Sequence, residues 1–159
     1  MADDESGESA RDLRLDRNWQ ELLQELRVAQ TGVQVFTGFL LTIPFSPRFA
    51  DLSSSRQIVY GAVLFVAVAA TFLLMTPVAL HRALFHRGAR SWLVGTADRL
   101  ARWGLGAMAL AIIGAVWLVL DVIGPMWVAS LATVVLLVFV LVFWVVIPAR
   151  ELKHVGRPR

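Results

Sequence analysis

The sequence predicts an all-α protein: a four-helix transmembrane bundle with both the N and C termini cytoplasmic. Three observations predict it. Hydrophobic residues make up 57% of the 159-residue chain and are gathered into blocks rather than stripes. Four such blocks, at about 28–45, 58–80, 103–120 and 127–147, match or approach the roughly 20 residues that cross about 30 Å of hydrocarbon. The cationic residues then alternate between sides. Thirteen Lys and Arg lie before or at the first block, between the second and third, or after the fourth, against only Arg48 and Arg56 on the opposite side. The positive-inside rule places the richer side in the cytoplasm, and an even number of spans requires the two ends to share it.

Residues 1–18 are polar and mixed in charge, as in a disordered cytoplasmic tail, and contain no apolar core of a signal peptide. Residues 19–149 form the membrane domain, and 150–159 a basic tail. Cysteine is absent, which removes disulfides, thiolate metal sites and thiol catalysis from consideration.

Helix 1 opens as ELLQELRVAQTGVQVFTGFLLTIPF, wet at one end and apolar at the other. Asp16 or Asn18 suits its N-cap, with Glu21 near the positive end of the helix dipole. The helix then rises as a cytoplasmic stalk and enters lipid near Val28. Gln20, Gln24, Arg27, Thr31, Gln34 and Gly38 recur at steps of four or three and share a face, while Leu22, Leu23, Leu26, Val33 and Phe36 lie mostly elsewhere. Amides in hydrocarbon seek partners, so this polar face is expected to turn toward the other helices, with Arg27 reaching back to the interface. It is read either as a packing seam or as part of an ion or substrate route. Pro44 and Pro47 end the helix.

The loop SPRFADLSSSRQ offers serines as caps for helix 2 and sets Asp51 between Arg48 and Arg56. Within helix 2, Thr76-Pro77 predicts a bend whose freed carbonyl is met by Thr76 or by a neighbouring helix. His81 and His86 are five apart and His154 lies in the tail, a spacing unsuited to a metal or haem. The arginines between helices 2 and 3 suit anionic headgroups instead. Thr96 is the expected cap of helix 3, with Asp98 in its first turn. Ala107, Ala111 and Ala115, with Gly104 and Gly114 nearby, make helix 3 the candidate for the closest packing.

Asp121, Gly124 and Pro125 form the turn into helix 4, which is rich in Val, Leu and Phe and faces lipid. Trp103, Trp117, Trp127 and Trp144 fall near span ends as interfacial anchors. Asp121 is the ionisable candidate at an outer helix end, either just inside the boundary or paired with Arg48 or Arg56. The four blocks contain no Asp, Glu, Lys, Arg or His, so the midplane carboxylate that ion exchange uses is missing. No phosphate loop, dinucleotide fingerprint or nucleophile elbow occurs.

The runs WQELLQELRVAQTGVQVFTGFLLTIPF, RQIVYGAV, TPVALHRALFHRG and RLARWGLGAMALAIIGAVWLVLD together resemble a family of small actinobacterial four-span membrane proteins, a domain of unknown function. The likeness runs from about Leu15 to the end of helix 4, and ELLQELRVAQTGVQ is its most specific part. Some members carry the automatic label of sodium:proton antiporter. The resemblance implies a four-span fold and brings no catalytic residues.

Two functions remain. The first is a structural or partner-binding protein of the plasma membrane, neither an enzyme nor a nucleic-acid binder and without a cofactor. It would meet anionic headgroups, a membrane-protein partner or further copies of itself. The second is a small oligomeric ion transporter or channel subunit, sodium:proton antiport included, with Gln30, Thr31, Gln34 and Asp121 lining the route.

Overall fold

A computed structural model describes residues 2–84 and 90–150. Among these residues the protein is all-helical: α1 (Ala2–Thr42), α2 (Ser54–Leu84), α3 (Arg90–Ile123) and α4 (Met126–Leu141). Each contributes a stretch long and apolar enough to cross a membrane: Leu23–Phe45, Ser54–Leu80, Gly95–Ile123 and Met126–Arg150. The outer surface agrees, since Phe39, Phe45, Phe65 and Trp103 all lie more than two-thirds exposed. A water-facing surface rarely exposes so many large apolar side chains to this degree.

α1 runs unbroken from Ala2, so Asp16 and Asn18 fall inside it and are not caps. The helix takes in most of the stretch that composition assigns to a tail. On its exposed start Arg17 Nε meets Glu21 Oε1 at 3.2 Å, one helical turn on; at such exposure a pair adds only about 0.3–0.5 kcal/mol. Its far end is closed by Pro44. A proline has no N–H, and Leu40 is the residue whose carbonyl that N–H would have met. The hydroxyl of buried Tyr60 donates to the Leu40 carbonyl instead, so α2 seals the end of α1. Tyr60→Phe is expected to cost about 1–2 kcal/mol, because it strands that carbonyl; equilibrium unfolding in detergent would measure the loss.

Single 3-10 turns, Ile43–Phe45 and Pro47–Phe49, lead to α2. The Ser53 carbonyl accepts the first α2 bond, from Gln57 N at 3.1 Å. The Gln57 side chain donates back to Phe49 O and Leu52 O, both at 3.3 Å, and ties the turn to the helix start.

α2 and α3 are the centre of the molecule. Along α2, Tyr60, Val63, Ala67, Ala70, Leu74 and Pro77 alternate steps of three and four and are all buried. Facing them, α3 presents Gly104, Ala107, Ala111, Gly114 and Leu118 at the same spacing, the pattern of an antiparallel coiled-coil seam. The helices are close enough to need the glycines. A Cβ on Gly104 would lie 2.8 Å from Leu74 Cγ, and one on Gly114 would lie 2.7 Å from Val63 Cγ2. Ala115 sits at the edge of this seam, partly buried.

α1 lays Leu26, Val33, Thr37 and Leu40 onto the α2–α3 pair. α4 leans chiefly on α3 and buries only Ala129 along Met126–Leu141. The bundle is therefore a three-helix core with a fourth helix on its flank. After Leu141 the helix widens into a π turn, Val142–Val146, just before Pro148. The extra width falls where the proline ring would otherwise meet the Trp144 carbonyl.

Two further expectations change. α3 begins at Arg90, so Thr96 lies inside it rather than at its cap, and its buried hydroxyl has no partner among the described residues. Asp98 pairs with Arg102 a turn later. Trp117 is not an anchor: it packs against the Leu40–Tyr60–Leu118 cluster, whereas Trp103, Trp127 and Trp144 remain exposed. His86, His154 and the tail after Arg150 lie outside the described residues.

Candidate functional site

The polar face of α1 follows from two interleaved periods. Leu26, Val33, Thr37 and Leu40 take the inward direction, and Gln30 joins them. At about 100° per residue, the set Gln20, Gln24, Arg27, Thr31, Gln34 and Gly38 then falls roughly a third of a turn away. All six are exposed. The expectation that this face turns toward the other helices is thus corrected. Inward space goes to the apolar set, whose larger contact area outweighs a few amide bonds.

The one amide that does turn inward is Gln30. Its Nε2 donates to Leu74 O at 2.7 Å, within the turn of α2 that Pro77 interrupts. Thr76 Oγ1 donates to Phe72 O at 2.7 Å in the same turn. The two therefore supply donors to carbonyls on either side of Leu73, whose own N–H partner the proline removes. Nearby, the Thr37 and Thr71 hydroxyls lie 3.5 Å apart across α1 and α2. Gln30→Leu is expected to cost about 1 kcal/mol by depriving the Leu74 carbonyl of its donor from α1; loss of stability without change in helix content would be read by detergent unfolding followed by circular dichroism.

The exposed set is differently placed. Thr31 Oγ1 returns its proton to Arg27 O at 3.0 Å. Among the described residues the amides of Gln20, Gln24 and Gln34 find no partner within the protein. Gly38 opens on free space, with nothing within 4 Å of an added Cβ. This face is a polar seam directed away from the molecule.

Asp121 lies at the other end of the bundle. Arg56 Nε donates to its Oδ2 at 2.8 Å, and Arg56 Nη2 donates to its carbonyl oxygen at 2.9 Å. The start of α2 is thereby fastened to the end of α3, with Asp121 nearly buried at 13% exposure. Arg56 therefore reaches across to Asp121 and not to its sequence neighbour Asp51. Beside this clamp is an apolar hollow of about 200 Å³ between the 3-10 turns and α3, walled by Phe49, Leu118 and Val122, with Arg48 at its rim.

Within one chain the residues expected to line an oligomeric route lie apart. Gln30 turns to α2, Thr31 and Gln34 face outward, and Asp121 is held at the far end. Among the described residues no three His, Cys, Asp or Glu gather as metal ligands.

A family model described as a family of unknown function (DUF6328) matches residues 8–148, which include all of the polar seam, the first three apolar stretches and the fourth as far as Pro148. Neither the characterised proteins nor the solved structures give a match to the chain.

Proposed function

Because the chain belongs to DUF6328, a family of unknown function, we propose its role from its own residues: an integral plasma-membrane protein that binds a membrane partner through the outward seam of α1. The observation that carries this reading is the direction of Thr31, Gln34 and Gly38, which lie well inside the Leu23–Phe45 stretch and face outward. Lipid tails neither donate nor accept hydrogen bonds. An unpaired amide there is costly, and a partner helix removes the cost. The cations before residue 28, between residues 80 and 103 and after residue 147 support an orientation with both termini in the cytoplasm, where Arg82, Arg99 and Arg102 would meet anionic headgroups.

The reading excludes transport as the main role, and it is tested on that point. Proteoliposomes holding the purified chain are expected to keep an imposed sodium or proton gradient as well as empty vesicles do, by a pH-sensitive dye. Gradient-driven flux that disappears in Gln34→Leu or Asp121→Asn would overturn it. Photocrosslinkers at positions 20, 24 and 27 are expected to trap protein; adducts with lipid alone would also count against it.

A further inference from the structure

We infer that the partner on the α1 seam is a second copy of this chain, docked about a two-fold axis along the membrane normal. This rests on the partner-binding reading above and specifies it. The first support is the period. Gln20, Gln24, Arg27, Thr31, Gln34, Gly38 and Leu41 succeed one another at four, three, four, three, four and three residues, and all are exposed. That is the heptad spacing which keeps a seam in register along two helices.

The second support is the consequence of insertion. Copies of one chain obey the same orientation rule, so their first helices run parallel. A two-fold axis then sets each residue opposite its own copy. Few polar side chains gain from meeting themselves. A carboxamide does, because it holds donors and an acceptor together. Gln34 can bond its copy reciprocally, and the Gln20 and Gln24 amides repeat the device along the stalk. An unrelated helix would need matching groups at the same spacing, which the copy has by identity.

The third support is room. Thr31 and Gly38 stand one turn to either side of Gln34, both small, and space beyond Gly38 is open. Backbones can approach closely there, as helix pairs in lipid require. Thr31 brings no unmet proton, having donated to Arg27 O. Arg27 is the one charge of the seam's membrane part. It sits where the helix leaves the hydrocarbon, and its long stem lets the two guanidinium groups reach headgroups on separate sides.

The absence of cysteine makes the test direct. Thr31→Cys, Gln34→Cys and Gly38→Cys would be reconstituted singly in phosphatidylcholine–phosphatidylglycerol vesicles at high lipid excess and oxidised. Val35→Cys and Phe39→Cys, also exposed but outside the seam, are the controls. Covalent dimer is expected at 31, 34 and 38 and several-fold less at 35 and 39. Gln34→Leu, in the Thr31→Cys background, is expected to weaken dimerisation roughly three- to thirty-fold. Equal crosslinking at all five positions, or none at 31, 34 and 38, would overturn the dimer. A photocrosslinker at position 31 in the membranes of the producing cell separates this failure from that of the broader reading. An adduct with a different protein and no dimer overturns only the present inference, whereas lipid adducts alone overturn both.

Discussion

Gly104→Ala and Gly114→Ala are each expected to destabilise the protein by about 1–3 kcal/mol, the usual cost of overpacking a filled core. The reason is local and specific. The new methyl on Gly104 would lie 2.8 Å from Leu74 Cγ, 2.9 Å from Leu74 Cδ2 and 3.3 Å from Leu73 Cβ. Leu74 is fully buried and Leu73 Cβ is fixed to its backbone, so neither yields cheaply. On Gly114 the obstacle is Val63 Cγ2 at 2.7 Å, on a side chain that a helix holds largely in one rotamer. Relief must come from the helices moving apart. The diagnostic measurement is a double-mutant cycle of Gly114→Ala with Val63→Ala by unfolding in mixed micelles. Each change alone is destabilising, one by crowding and the other by a void, and together they should cost clearly less than their sum. Strict additivity would mean that these two residues do not meet.

Breaking the Arg56–Asp121 clamp is the second large effect. Arg56→Ala removes both donors and leaves a nearly buried carboxylate unanswered, for a loss of about 1.5–3 kcal/mol. Arg56→Lys should recover less than half of it, since one ammonium cannot reproduce a planar fork that serves a carboxylate and a backbone carbonyl together. Asp121→Asn should be the mildest of the three, because the carbonyl bond survives and an amide oxygen still accepts. That ordering is the test. Three equal losses would assign the effect to local packing, and none at all would make the clamp ornamental. High salt should change it little, as the pair is only partly open to water.

Much of this architecture is legible in the sequence, for a definite reason. Blocks of Val, Leu, Ala and Phe longer than about 18 residues have few alternatives to membrane-length helices, so four apolar stretches appear in both readings. Gly104, Ala107, Ala111 and Gly114 likewise announce a close approach before any partner is known. Direction is harder. Periodicity groups Gln20, Gln24, Arg27, Thr31 and Gln34 on one face, yet says nothing about whether that face looks in or out. Leu26, Val33 and Leu40 have an equal period, and volume settles the contest in their favour. Gln30, off the stripe, took the inward amide's role, and its only signal was Pro77 on a helix far along the chain. The seal of Leu40 by Tyr60 was similarly hidden: the cue is Pro44 four residues on, but the donor comes from elsewhere. At α3 the cap signal of Thr96 was overridden because the helix had already begun at Arg90.

The narrow footing of α4 governs how the protein comes apart. Since it leans chiefly on α3 and buries a single alanine along its regular part, it can detach while the glycine seam and the Arg56 clamp stay closed. As detergent is added, single cysteines placed along the α3–α4 contact should therefore become reactive to a thiol reagent before those placed along the α2–α3 seam. A molecule built so unevenly has a loose limb and a firm trunk, and its last helix is free to trade neighbours while the rest holds its shape.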